Sequence, residues 1–289
     1  MTDPDTTDRH RMEDGISATV LADGAELCSL QDAAGRELVW QAEPVWPRHS
    51  PVLFPIVGRL RDDRLLHDGQ SYRLTQHGFA RDRRFTWAER DAASCRLVLQ
   101  DDAATQAMYP FPFRFEMSYR ITDGELTIGY EVTNTGPGVL PVSVGAHPAF
   151  RWPLSGSKTD YQIEFDTAED APICRLDGGL LRPDPQPSPV HGRMLPLDPA
   201  LFKDDAVIML HPRSRSLSFT GPGGGIDLTW TGFEQLGLWS RAGGDFLCIE
   251  PWQGYASPAD FDGEFTTKPG LMLLPPGESR TLQWTVRPV

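Results

Sequence analysis

The sequence predicts an all-β antiparallel fold, and three observations carry that prediction. Glycine and proline, 27 and 26 of 289 residues, exceed average usage and are scattered along the chain, as many short strands joined by turns require. Apolar and polar residues alternate with period two in several stretches, broken by Asp-Gly pairs. Helical periodicity is nearly absent. Sandwiches of this length fold as one unit around an extended core. One domain is therefore expected over residues 15–289, after a polar, flexible start at 1–14.

Taken in order, residues 16–22 and 25–30 alternate around Asp23-Gly24, and 36–41 follow a second turn at 32–35, which reads as a β-meander. The clearest hairpin is 115–121 with 126–134 around Asp123-Gly124, its polar face carrying Glu116, Ser118 and Arg120. Further strands are expected at 140–144, 161–165, 216–220, 226–230, 237–240, 246–250 and 280–286. The proline-rich stretch 182–189 reads as a long loop, because composition does not shift across it. There is no repeat of fixed period.

A formal net charge of −13 repels a phosphate backbone, and no Lys/Arg stripe reverses it locally, so nucleic acid is not an expected partner. No apolar run approaches a membrane span and the opening stretch has no signal-peptide core, so no membrane partner and a cytoplasmic location are expected. Cys28, Cys95, Cys174 and Cys248 show no Cys-x-x-Cys spacing and read as free thiols. The seven histidines likewise lack the spacing of metal ligands, and no metal is expected.

Three segments gather polar residues beside Gly, Pro and aromatics at strand ends, where a β scaffold presents a site. The first, 54–85, holds the candidate ligands Arg59, His77 and Arg81. In the second, Gly145-Ala-His147-Pro148-Ala-Phe150, a proline after the histidine restricts its backbone to extended conformations and so aims the imidazole. In the third, Glu250-Pro251-Trp252, a carboxylate ends an otherwise apolar strand, and a buried Glu must be paired or protonated. Trp252 offers a flat apolar face beside it. Taken singly, each has a bland reading, a satisfied structural histidine or a turn-closing glutamate. Arg61, Arg64, Arg83 and Arg84, interleaved with Asp62, Asp63 and Asp82, read as a solvated charged surface.

In combination and in this order, the segments Phe54-Pro-Ile-Val-Gly-Arg59, His77-Gly-Phe-Ala-Arg81, His147-Pro-Ala-Phe150 and Glu250-Pro-Trp252 resemble the aldose 1-epimerase family, with relatives among the hexose-6-phosphate 1-epimerases. The opening Gly24-Ala-Glu-Leu-Cys-Ser-Leu-Gln-Asp and the closing Lys268-Pro-Gly270 and Leu274-Pro-Pro-Gly-Glu278 extend the resemblance over nearly the whole chain. It implies a galactose-mutarotase-like antiparallel β-supersandwich with an open sugar cleft, needing neither metal nor organic cofactor. It implies His147 as general acid and Glu250 as general base, with Arg59, His77 and Asp205, or its neighbour Asp204, binding sugar oxygens. A monomer or homodimer acting on a small sugar follows.

The implied reaction opens and recloses a hexose ring to exchange its anomers, and an acid and a base each contribute about 10²- to 10⁴-fold. A 6-phosphorylated sugar is the first alternative substrate, gripped by Arg59 and Arg81. A sugar-binding module without turnover is the second, although a binder needs no acid and base across the ring. A glycoside hydrolase or lyase is the third, against which stands the usual requirement for two carboxylates.

Overall fold

The computed structural model describes residues 8–289, of which two antiparallel sheets form the bulk. Strand makes up 46% of the chain and helix 7%. The larger sheet has nine strands in the order Met194–Pro196, Gln162–Phe165, Ser216–Gly221, Gly224–Thr231, Ser279–Pro288, Glu125–Asn134, Phe113–Thr122, Ser94–Gln100 and Thr86–Arg90. Its centre is the expected hairpin. Phe113, Phe115, Met117, Tyr119 and Ile121 point inward while the intervening side chains stay wetter, and Asp123 and Gly124 both take positive φ, the backbone a tight hairpin turn needs.

The smaller sheet positions the site. Phe246–Gln253 lies at its heart, flanked by Gln235–Trp239 and then Val207–Met209 on one side. On the other side two short strands, Val144–Gly145 and Ala149–Arg151, pair with the same partner in one continuous register. Between them the ladder is interrupted at Ala146-His147-Pro148, where the proline has no N–H to donate.

One large apolar cluster, reaching in sequence from Met12 to Val286, fills the interior, and each large side chain buried there contributes about 1.5–3 kcal/mol. Polar ends of several of its aromatics are satisfied: the Trp284 indole N–H donates to the Tyr130 hydroxyl at 3.1 Å, and the Tyr109 hydroxyl donates to the Pro141 carbonyl at 2.6 Å, whereas the Trp230 indole N–H is buried without a hydrogen-bond partner.

Three expectations change. Of the flexible start expected over 1–14, residues 1–7 lie outside the described residues, while Arg9–Asp14 is a strand paired with Ile16–Leu21 and anchored by the fully buried Met12. The strand expected at 36–41 is reduced to two isolated bridges, Gln31 with Glu37 and Val39 with Phe150. There the Glu37 carboxylate takes the backbone N–H groups of Leu30 and Val39 at 2.9 and 3.0 Å, replacing a ladder. Two strands of the large sheet, Thr86–Arg90 and Ser94–Gln100, are not among those expected; four of the five residues in the former are exposed, so it carries no apolar face to read.

Candidate active site

The register that pairs Gly145 with Trp252 and Ala149 with Cys248 continues through the interruption and sets His147 opposite Glu250. Nε2 of His147 lies 3.2 Å from Oε2 of Glu250, with side chains 10% and 1% exposed. The contact lacks hydrogen-bond alignment, so Oε2 of Glu250 and Nδ1 of His147 are both buried without a hydrogen-bond partner. An orphaned carboxylate oxygen in an apolar interior is costly, and its persistence marks a group waiting for a partner.

On the far side of Glu250 the same rung continues to Gly237, Ile208 and Cys174. Gly237 is required by packing: a Cβ there would lie 2.4 Å from Cη2 of Trp252, and one on Gly145 would lie 2.8 Å from its Cδ1. The Trp252 indole thus lies flat between two glycines, 5% exposed, its N–H donating to the Ala146 carbonyl at 3.2 Å. The open face expected of Trp252 is covered. The partly exposed aromatic surface beside the pair comes instead from Trp46, stacked on the His147 ring at 5.2 Å and 27°, and Trp239, edge-on to it at 5.8 Å. Nothing in the sequence distinguishes these two among eight tryptophans.

The first motif reaches the pair through backbone pairing. Leu53 exchanges hydrogen bonds with Gly145, and Phe54 bridges Gly78. Gly78 has φ +70°, and a Cβ on it would be 2.2 Å from the Phe54 carbonyl oxygen, so only glycine makes this turn. His77, itself at φ 66°, is held on both sides by Gly58: its N–H donates to the Gly58 carbonyl at 2.8 Å, and its Nδ1 accepts the Gly58 N–H at 3.2 Å. That bond fixes the neutral tautomer, with the proton on Nε2. The His77 ring meets His147 edge-on at 5.6 Å.

The four remaining charged residues divide. Arg81 donates to the Gln76 carbonyl at 2.8 Å, its Nε is buried without a partner, and Arg48 lies against it, bonded to its carbonyl at 3.2 Å and to Asp82 at 2.7 Å. Arg59 is engaged by Asp63 at 2.7 Å and by the Gly178 carbonyl at 3.4 Å, so Asp63 is more than part of a solvated surface. Asp205 is exposed, at φ 67°, and its charge reaches Glu250. Arg175, which no motif flagged, is 8% exposed, donates to the Asp205 carbonyl at 2.8 Å and keeps a buried, unpartnered Nε.

Burial pushes the Glu250 carboxyl well above the usual carboxylate range; the Trp252 indole N–H opposes this and the Asp205 charge adds to it. Burial also pushes His147 down to about 3, with the Arg81 charge acting in the same direction. His77 is driven well below the ordinary histidine value, first by burial and then by the charges of His147 and Arg81. Burial therefore leaves His147 neutral near neutrality and works against ionisation of Glu250, so a proton shared within the pair rests more easily on the carboxyl than on the ring. Such a pair can accept a proton at one atom while delivering one at another.

Comparison with known proteins identifies the family and the fold. The family described as aldose 1-epimerase matches residues 8–283. The chain is 31% identical over 261 residues to the protein LacX, chromosomal, of Lactococcus lactis subsp. lactis, covering 85% of this chain and 87% of that protein. Among solved structures it resembles a galactose mutarotase related enzyme from Lactobacillus acidophilus, with TM-score 0.92, 30% identity and 97% of each chain covered. It also resembles a galactose mutarotase-like protein from Lactobacillus casei, with TM-score 0.90, 28% identity, and 97% and 100% of the two chains covered. Its fold is the galactose-mutarotase-like β-supersandwich expected above.

Proposed function

The chain belongs to the aldose 1-epimerase family, and from that premise we propose that it interconverts the α and β anomers of a free aldose by ring opening and reclosure at the buried pair His147 and Glu250. The observation that carries this reading is the 3.2 Å contact between an imidazole and a carboxylate, each of which keeps a buried polar atom without a hydrogen-bond partner.

Ring opening proceeds with one proton on the pair placed on His147, the placement that burial alone disfavours and that hydrogen bonds to the bound sugar must stabilise: Glu250 as carboxylate removes the proton from the C1 hydroxyl while His147 as imidazolium gives one to the ring oxygen. The bond from C1 to the ring oxygen breaks, leaving an open-chain aldehyde. The pair is then a carboxylic acid beside a neutral imidazole and still carries one proton. Rotation about the C1–C2 bond and reversal of both transfers close the ring to the other anomer. The neutral His77 presents its Nε2–H to a sugar oxygen, Asp205 accepts from a hydroxyl at the rim, and Arg59 and Arg81 complete the polar wall. Trp46 covers the apolar side of the ring, and Trp252 holds the floor flat beneath it. Neither hydride nor covalent intermediate is required.

A second reading, a 6-phosphorylated sugar, rests on Arg81 and Arg48, two neighbouring cations that share the Asp82 carboxylate at 3.8 and 2.7 Å, with the Arg81 Nε buried without a hydrogen-bond partner. The grip earlier expected of Arg59 with Arg81 has less support, because Asp63 already neutralises Arg59. Anomer-specific coupled assays and polarimetry on free and 6-phosphorylated aldoses test both: accelerated mutarotation of glucose or galactose supports the first, and conversion of glucose 6-phosphate alone replaces it by the second. Four unpaired cysteines support residence in a reducing, cytoplasmic compartment, and no helix among the described residues is long and apolar enough to cross a membrane.

A further inference from the structure

Cys248 lies two residues before Glu250 on the same strand and pairs with Ala149, two residues after His147. Side chains two apart on a strand share a face, so the thiol joins the acid and the base on one side of the sheet. One ring nitrogen of His147, Sγ of Cys248 and a carboxylate oxygen of Glu250 all lie within 4.8 Å of one another, and all three residues are buried. The cysteine and histidine spacings in the sequence contain no sign of this, because it is assembled across the ladder. Among the described residues the other group of three such donors, His67, Asp68 and Glu264, contains no cysteine.

We propose that His147, Cys248 and Glu250 form a binding site for a borderline-soft divalent cation, best matched by Zn²⁺, and that its occupancy shuts down catalysis. The donor set of one imidazole, one thiolate and one carboxylate is that of a tetrahedral zinc centre with its fourth position open to the cleft. At zinc bond lengths, tetrahedral ligands are spaced about 3.3–3.6 Å apart. His147 and Glu250 are already at 3.2 Å, so only the thiol has to close in. Charge also balances: a thiolate, a carboxylate and a neutral imidazole together cancel a dication, so the ion enters a low-dielectric interior as a neutral cluster. The orphaned Oε2 of Glu250 supplies a lone pair that no other group uses, and Nε2 of His147, the ring nitrogen that faces it, supplies the other. Coordination releases the thiol proton and the proton shared by the pair to solvent, leaving nothing to transfer to the sugar. The inhibitory half of the proposal rests on the acid/base reading above; the binding half does not.

The test uses the full chain, freed of metal. Titration with Co²⁺ is followed by the thiolate-to-cobalt charge-transfer band, and with Zn²⁺ by mutarotation of glucose and galactose in the polarimeter. The expected result is one ion per chain, a thiolate band, and inhibition reversed by a chelator. In Cys248→Ser the band disappears and inhibition weakens about 10- to 100-fold, while metal-free turnover persists. Zinc-edge X-ray absorption on the native protein gives an answer that does not depend on the variant folding: a shell with one sulfur at about 2.3 Å supports the site, and a shell of nitrogen and oxygen alone overturns it. An unchanged band in Cys248→Ser overturns it as well. A one-sulfur shell in a protein without epimerase activity upholds the site and removes the functional reading, whereas active enzyme indifferent to Zn²⁺ does the reverse.

Discussion

His147 and Glu250 are cross-strand neighbours on a single rung, brought to 3.2 Å by a register whose hydrogen bonding is interrupted where Pro148 and Pro251 cannot donate. Their separation is set by the spacing of two strands and not by the fold of a loop. Glu250→Gln keeps the shape and removes the base. Turnover, followed by polarimetry, should fall about 10²- to 10⁴-fold, while sugar affinity by calorimetry stays within a few-fold. Unchanged turnover would remove Glu250 from the mechanism.

Trp46 fixes the plane of the His147 ring by stacking on it at 5.2 Å. A pair of this kind contributes about 0.5–1.5 kcal/mol, so Trp46→Ala should lower kcat about 2- to 10-fold. Trp46→Phe should recover most of the loss. Equal kcat in all three proteins would show that the stack does not orient the imidazole.

Asp205 and Asp204 are adjacent and both exposed, yet it is the charge of Asp205 that reaches Glu250. Asp205→Ala should raise KM, and a lost hydrogen bond between a charged group and a hydroxyl, about 1.5–3 kcal/mol, corresponds to roughly 10- to 150-fold in kcat/KM. Asp204→Ala should change it less than about 2-fold, since surface substitutions shift energies by at most about 0.5 kcal/mol. The opposite ranking in steady-state kinetics would transfer the assignment to Asp204.

Gly237 leaves room for the Trp252 indole, and an alanine methyl there would collide with it at 2.4 Å. Overpacking of this kind costs about 1–3 kcal/mol. Gly237→Ala should therefore lower Tm by about 2–10 °C in calorimetry, and the displaced indole should lower activity further than the stability loss explains. A thermally unchanged, fully active variant would mean that the floor is not held by this contact.

Glu26 accepts the N–H groups of His49 at 2.8 Å and Ser50 at 3.0 Å, anchoring the loop whose His49 carbonyl in turn accepts from Ala149. Burial pushes the Glu26 carboxyl up, but the bonds from His49 and Ser50 outweigh it and leave it below its ordinary value of 4.5. A lowered folded value means stability that is present above pH 4.5 and is lost as pH falls through the folded value. Glu26→Gln should cost about 1–3 kcal/mol at pH 7 in urea unfolding, with the two proteins converging in acid. A pH-independent difference would show that the charge is not what anchors the loop.

The architecture and the proposed acid/base pair were legible because both rest on local signals. The 113–134 hairpin declares itself by alternation and a two-residue turn, and His147 and Glu250 by a proline beside each. What was not legible depends on register. Residues 36–41 alternate like a strand, but the Glu37 carboxylate takes the N–H groups that a ladder would use. Arg175, Trp46, Trp239 and Cys248 have unremarkable neighbours in sequence, and only contacts between segments far apart in the chain bring them to the site. Trp252 was read as an exposed platform because the glycines that cover its faces, Gly145 and Gly237, are far from it along the chain.

On the proposed function, the interrupted strand separates the groups assigned to proton transfer from those assigned to sugar selection. His147 and Glu250 are held by the register of the sheet, whereas His77, Arg81, Asp205 and Trp46 arrive on turns and loops attached to it at a few backbone bonds. Loops exchanged between relatives could therefore retune which sugar is accepted while the reactive distance stays the same, making this sheet a chassis for building new anomer specificities.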